Sequence, residues 1–397
     1  MGLTFMVVLV ISLALFFDFT NGFHDTANAM ATPIATGAIK PKIAVALAAV
    51  LNLAGAFLST EVAKTISGGL IREGSGGIQI TPEIIFAGLL GAIIWNLLTW
   101  LLGLPSSSSH ALFGGLIGAA VVGIGFGSVD FTVLTSKVIL PAVFAPVIAG
   151  GTAFLCTRLA YRVTRRQDAA GDKLTQKRGG FRRGQIFTSS MVALAHGTND
   201  AQKTMGIITL VLISSGFQRV GSGPSVWVIT ACASAIAAGT YAGGWRIIRT
   251  LGVGLTDVKP AQGFAAETST AAAILASSSL GFALSTTQVA SGSVIGSGLG
   301  RRGASVRWRT AGRVGLGWLF TLPASALIGA LTALIIRLGT AGIVIDAVLG
   351  VLTVGSIFLW SRRTRITHVN AVSDVEAAAE VIDRPKKAKS RKAGVQT

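Results

Sequence analysis

Charged side chains make up only 13% of the 397 residues, and acids are the scarcer sign, 16 Asp and Glu against 34 Lys and Arg. A soluble globular domain carries about twice that charged fraction, which excludes the soluble class. Cysteine is nearly absent, with only Cys156 and Cys232. Both lie in apolar stretches without a CxxC spacing. That excludes a disulfide framework and a cysteine metal site, and it leaves both as small buried hydrophobes. Lys and Arg are missing ahead of the first apolar run, which starts at Gly2, and no small-residue cleavage site precedes the first polar motif. The segment reads as a retained helix and not as a signal peptide.

What fills the chain instead is apolar: 51% hydrophobic residues and 50 Gly. Runs long enough, or nearly so, to cross ~30 Å of hydrocarbon lie at 3–20, 43–60, 84–103, 111–126, 137–160, 186–213, 225–243, 264–281, 286–300, 313–336 and 342–360. The predicted fold class is an all-α polytopic protein of the cell membrane, plasma or inner, with glycines permitting close helix packing. A net charge of +18 suggests nucleic acid only until its distribution is read. The basic residues flank apolar runs, which is a topology signal, so no nucleic-acid partner is expected.

Arg158, Arg162, Arg165, Arg166, Lys173, Lys177, Arg178, Arg182 and Arg183 form a central basic linker, and Arg362, Arg363, Arg365, Lys386 and Lys387 mark a tail. Both are expected to be cytoplasmic, with the N-terminus outside. The chain then divides into a first transmembrane repeat at 1–160, a linker at 161–185, a second repeat at 186–360 and a disordered tail at 361–397. Walking the charges along the chain sends equivalent segments of the two repeats in opposite directions. That is the inverted topology of many secondary transporters, whose site lies at the midplane where broken helices meet.

The repeat is visible in residues. Gly22-Phe23-His24-Asp25-Thr26-Ala27-Asn28 aligns with Gly197-Thr198-Asn199-Asp200-Ala201-Gln202-Lys203, the latter preceded by His196. Further on, Leu104-Pro105-Ser106-Ser107-Ser108-Ser109-His110 and Leu284-Ser285-Thr286-Thr287-Gln288 each separate two apolar runs with no charged turn between them. Such a cluster is predicted to be the tip of a re-entrant helical hairpin, irregular backbone that membrane depth allows only beside a protein cavity.

An ionisable carboxylate in hydrocarbon is a functional-site hypothesis by default. Hydroxyls, helix N-termini and one Lys supply donors, as an oxyanion pocket requires. Asp25 and Asp200 narrow the anion, because an ionised carboxylate only accepts. It welcomes the proton of monohydrogen or dihydrogen phosphate and repels fully deprotonated sulfate. The predicted phosphate ligands are Asp25, Asn28, Ser107, Ser108, Ser109, Asn199, Asp200, Ser285, Thr286 and Thr287. Positive charge for the anion comes from protons, sodium or Lys203. Glu267, alone in an apolar segment, and His24, His110 and His196, three of the four histidines, join Lys203 as the predicted cation-coupling residues, since imidazole titrates near physiological pH. Asp25, Asp200 and Glu267 are also where sodium would bind; no other metal site is assigned, and no cofactor. Lys203 stands where its repeat mate is Asn28, so a tethered ammonium is read as replacing a sodium ion. Asp18, Asn52 and Asn96 read as locally satisfied polar residues, and Glu61 with Lys64 as a surface ion pair.

At these residues the chain resembles the inorganic phosphate transporter (PiT) family. The family's GxNDxxN-like motif, repeated once per half, is similar to the two motifs above. Its PxSxTH-like tips are similar to Pro105-Ser106-Ser107-Ser108-Ser109-His110 and Leu284-Ser285-Thr286-Thr287-Gln288, and its intramembrane Glu to Glu267. The resemblance spans roughly 15–365. It implies a cation-coupled phosphate symporter working by alternating access in the bilayer and commonly a homodimer. His24, Lys203 and Gln288 depart from the sodium-coupled pattern and resemble the bacterial low-affinity, proton-coupled branch, whose substrate is often a metal-phosphate complex with a divalent metal. A sodium-coupled symporter and a sulfate permease of the same fold are the nearer alternatives. From another class, an intramembrane hydrolase would use Ser107 or Ser108, His110 and Asp25. Duplication argues against it, because a triad needs one nucleophile and one base, and Gln288 is no base. An uncoupled channel or scaffold leaves the buried acids unexplained.

Overall fold

Apolar stretches become helices because a helix satisfies every backbone group within its own segment. A computed structural model describes residues 2–69, 80–163, 180–364, 366–367 and 371. In chain order the helices are α1 (Leu3–Ala35), α2 (Pro41–Gly55), α3 (Glu61–Gly69), α4 (Pro82–Leu101), α5 (Ser108–Gly123) and α6 (Phe131–Val163). They continue as α7 (Gly180–Ser214), α8 (Val226–Ala242), α9 (Trp245–Gly254), α10 (Pro260–Ser279), α11 (Thr286–Gly300), α12 (Trp308–Ile336) and α13 (Thr340–Ser361). The one β-type pairing among the described residues is a bridge between Thr256 and Val306.

Among the described residues five helices, α1, α4, α6, α12 and α13, are long and apolar enough to cross a membrane, and a sixth span forms if α8 and α9, bent by 59°, count as one. The remaining apolar runs are also helical but fall short for two physical reasons. α2 and α11 have 15 residues each, about 22 Å at 1.5 Å per residue. α7 is long enough at 35 residues, yet it carries the second polar motif and so loses hydropathy. Large apolar side chains on α6, α12 and α13, among them Leu140, Val147, Leu319, Leu327, Val351 and Leu352, point outward, while the polar motif residues are buried. That arrangement suits hydrocarbon surroundings.

Two helix pairs share one build. α4 and α10 each have 20 residues and a Pro in the first turn. Each pair reverses at a glycine of positive φ, Gly103 at 66° and Gly281 at 71°. A serine then caps the following helix: Ser107 Oγ accepts from the His110 amide at 3.2 Å, and Ser285 Oγ from the Gln288 amide at 3.3 Å. These caps satisfy otherwise orphaned first-turn donors.

α1 and α7 pack against each other, with α8 against α1 and α2 against α7. The motif glycines permit this approach: a Cβ on Gly22 would lie 2.2 Å from the Ile236 carbonyl oxygen, and one on Gly197 2.2 Å from that of Asn52. Since backbone cannot yield as a side chain tip does, Gly197→Ala is expected to destabilise the protein by about 1–3 kcal/mol, the usual cost of overpacking. Thermal unfolding in detergent checks this, and an unchanged Tm contradicts it.

The structure carries helix into both ends of the segment read as linker. α6 runs to Val163, and α7 starts at Gly180, a turn and a half before the apolar run, because Gln185 finds polar partners inside. Residues 164–179 and nearly all of the tail lie outside the described residues. Glu61 and Lys64 form the surface ion pair read from the sequence, at 2.7 Å and half exposed. Both cysteines are free, Cys232 buried and Cys156 half-buried.

Candidate functional site

The two motifs lie mid-helix on α1 and α7, and the two hydroxyl clusters at the N-termini of α5 and α11. All four meet in one buried cluster. Ser108 Oγ donates to Asp25 Oδ2 at 2.9 Å, and Thr287 Oγ1 to Asp25 Oδ1 at 3.1 Å. Thr286 Oγ1 lies between the carboxylates, 3.1 Å from Asp200 Oδ2 and 3.4 Å from Asp25 Oδ2. Asn28 Nδ2 donates to Thr287 Oγ1 at 3.0 Å and to Thr286 Oγ1 at 3.3 Å. The second half's hydroxyls thus serve both carboxylates, and Asn28 of the first half holds those hydroxyls in turn, which neither segment achieves alone.

Lys203 and two histidines stand around this centre. Lys203 Nζ contacts Asp200 Oδ1 and donates to Ser109 Oγ at 2.6 Å and to the Leu284 carbonyl at 3.1 Å. His24 Nδ1 is 2.5 Å from Asp25 Oδ1. His196 Nε2 is 2.9 Å from Asp200 Oδ2, at ion-pair distance but off the line of a hydrogen bond, and 4.0 Å from Asp25 Oδ2. Ligand atoms of Asp25, His196 and Asp200 all lie within 4.8 Å of one another, which suits a metal ion. Every group named here is at most 7% exposed, so access requires helices or hairpins to move.

Some predicted residues lie elsewhere. Asn199 Nδ2 donates to Ser278 Oγ at 2.9 Å and the Phe282 carbonyl at 3.4 Å, away from the carboxylates. Ser107 and Ser285 spend their oxygens on capping. The His110 ring lies 3.4 Å from Gln288 Nε2, and both line an apolar cleft of about 720 Å³ with Pro146, Phe154, Trp318 and Leu322. Glu267 has a shell of its own: Thr32 Oγ1 at 2.6 Å, Thr188 Oγ1 at 2.6 Å and Gln185 Nε2 at 3.0 Å. Thr32 follows Asp25 by two turns of α1, about 10 Å along the axis. Of the three acids read as a sodium set, two therefore meet and the third stands apart.

Sequence reasoning missed the supports. Asn52, read as a satisfied amide, has Oδ1 3.2 Å from His196 Nδ1 and donates through Nδ2 to Thr240 Oγ1 at 2.6 Å, so it positions the imidazole. Its only sequence signal is an amide inside an apolar run. Gln185 and Thr188 carried no signal, sitting in a stretch already polar. The hydrolase triad is not assembled: Ser107 accepts from a backbone amide, and the His110 ring turns to Gln288. His24 does lie between Asp25 and Ser106, but Ser106 Oγ is 3.5 Å from the ring and already bonded to Thr99 at 2.7 Å.

Two carboxylates facing convergent hydroxyls, with an ammonium alongside, can accept from and donate to one protonated oxyanion at once. Comparison with known proteins points the same way. Residues 21–329 match the Phosphate transporter family. A probable low-affinity inorganic phosphate transporter of Mycobacterium bovis is 55% identical over 375 residues, covering 94% of this chain and 88% of the relative. One of Bacillus subtilis is 40% identical over 336 residues, covering 85% and 98%. A solved structure described as the sodium-dependent phosphate transporter shares the fold, with TM-score 0.72 and 23% identity over 84% of this chain and 99% of that one. With its motifs, buried acids and helices within the matched span, the chain is a membrane transporter and not an enzyme, and it belongs to the phosphate transporter family.

Proposed function

We propose that this protein imports inorganic phosphate by proton-coupled symport with alternating access. The observation that carries the reading is the Thr286 hydroxyl set between Asp25 and Asp200: the two carboxylates share one donor, so one anion can engage both. Asp25 and Asp200 accept from the phosphate O–H groups, while Ser108, Ser109, Thr286, Thr287 and Asn28 donate to its oxygens. Ser107, Ser285 and the first-turn amides hold the helix N-termini toward the anion, and Asn199 and His110 support the walls.

The inverted repeat belongs to the same reading. Asp25 faces His196 while Thr32 and Thr188 share Glu267, so residue numbers rise along α1 as they fall along α7. That antiparallel register supports halves at 1–160 and 186–360, with re-entrant hairpins at α4 with α5 and at α10 with α11, while the basic residues of the linker and tail support a cytoplasmic side for both.

Lys203 favours protons over sodium. Its ammonium holds Asp200 Oδ1, Ser109 Oγ and the Leu284 carbonyl, an oxygen set of the kind a sodium ion takes. His24 and His196, set against the two carboxylates, and Glu267 with its own donors are the remaining coupling residues in this reading. The Asp25, His196 and Asp200 set fits the metal of a metal-phosphate cargo. Uptake of labelled phosphate into proteoliposomes is the test. A pH gradient, acid outside, is expected to drive accumulation without sodium and more strongly with magnesium. Uptake that needs sodium and ignores the gradient contradicts the reading.

A further inference from the structure

The polar stripe of α1 does not stop at Asp25. Asn21 and Asp18 continue it at four and seven residues back, on the same face, so Asp18 lies about 10 Å along the axis from Asp25. Asp18 is 0% exposed and Asn21 and Thr204 1% each, yet neither Asp18 oxygen, neither Asn21 amide atom nor Thr204 Oγ1 closes a hydrogen bond. Thr204 faces the Asp18 carboxyl, with Asp200 and Lys203 in electrostatic range and Cys232 beside it.

Buried polar groups in native proteins are nearly always bonded, so orphans gathered in one place call for an explanation. The contrast with Glu267 sharpens it: that acid, two turns beyond Asp25 the other way, has three closed hydrogen bonds, whereas Asp18 has only the Thr204 hydroxyl facing it, without a closed bond. Neither is duplicated. Counting from the twin aspartates, the repeat mates of Asp18 and Thr204 are Ala193 and Ala29. The mate of Glu267, eighth residue of α10, is Leu89, eighth of α4. The central site is twofold, and each end carries one acid.

We propose that Asp18, with Asn21 and Thr204, is the outer holding point of the coupling proton, a proposal that rests on the proton-coupled reading above. A proton fits where a metal does not. It needs no coordination shell in a fully packed interior, and the neighbouring Lys203 ammonium repels a second cation but not a neutral acid. The carboxylic O–H has an acceptor facing it in Thr204 Oγ1, with the Asn21 amide one turn further along the stripe. The titratable groups facing Asp18 are Asp200 and Lys203 on α7 and Cys232 on α8; α4 adds none nearer than Glu83 in its first turn. The proton passes inward from the Asp18 carboxyl to an oxygen of monohydrogen phosphate in the site, making dihydrogen phosphate, and the Asp18 carboxylate left behind is partly neutralised by the Lys203 ammonium. Proton and phosphate then travel together, while phosphate binding itself rests on Asp25 and Asp200 and not on Asp18.

The test compares full-length wild type, Asp18→Asn and Asp18→Glu in proteoliposomes, reading gradient-driven accumulation and, separately, phosphate/phosphate exchange, which moves no net protons. Asp18→Asn is expected to lose accumulation to the level of protein-free vesicles while keeping exchange, and Asp18→Glu to regain accumulation. In infrared difference spectra between acid and alkaline pH, one protonated-carboxyl band should vanish in Asp18→Asn. Accumulation equal to wild type in Asp18→Asn overturns the assignment, as does loss of exchange together with accumulation, which marks a structural role. If wild type itself ignores the gradient, proton coupling fails, and this proposal with it.

Discussion

Asp25→Asn and Asp200→Asn are each expected to reduce phosphate uptake to background while the protein remains folded. Asn keeps the shape of Asp, and its carbonyl still accepts from Ser108 or Thr287 at the Asp25 position and from Thr286 at the Asp200 position. What changes is the face toward the anion, where an amide presents N–H to a phosphate O–H that needs an acceptor. Truncating one partner of a buried charged hydrogen bond costs about 2–5 kcal/mol, roughly 30-fold to several thousand-fold in affinity. The variants should also lose discrimination against sulfate, since the repelling charge is gone. Uptake and sulfate competition measured on monodisperse protein of unchanged helicity check both. Full activity in either variant contradicts a shared site.

Lys203→Asn is expected to change the cation that drives transport. Lys203 neutralises Asp200 from within the cluster, and removing one member of a buried ion pair costs about 3–5 kcal/mol when nothing replaces it. Here a replacement exists. Asn is the repeat mate's own residue, Asn28, and without the ammonium the oxygens of Asp200, Ser109 and Leu284 become free to hold a sodium ion. Uptake under a pH gradient alone should therefore collapse and return with external sodium, along with thermal stability. The measurement is uptake and Tm across a sodium series at fixed ionic strength. A variant indifferent to sodium, or as active as wild type without it, contradicts the role of Lys203 as a tethered cation.

Much of this site was legible because polar residues inside hydrocarbon are costly and therefore conspicuous. Asp25, Asp200, Glu267 and both hydroxyl clusters announce themselves as breaks in apolar runs, and the repeat pairs them. Direction was not legible. Asn199 precedes Asp200 by one residue, which on a helix turns its side chain about 100° away, toward Ser278. His24 precedes Asp25 equally, but its ring folds back onto the carboxylate. Composition does not separate these outcomes; the neighbouring helices do. Ser107 and Ser285 look like ligands in sequence and serve as caps, since the first hydroxyl of each cluster falls at the helix boundary. Asp18 looked locally satisfied because its surroundings in sequence, Phe17 and Phe19, say nothing of Thr204 on another helix. The span count diverged for the same reason: α7 carries polar groups that only a partner helix makes affordable.

The most direct measurement is the stoichiometry of labelled phosphate binding to the purified protein, with arsenate and sulfate as competitors. If Asp25 and Asp200 are opposed halves of one site, one phosphate binds per chain, arsenate displaces it and sulfate does not. Two phosphates per chain, or displacement by sulfate as effective as by arsenate, contradicts a single site selected by its paired carboxylates.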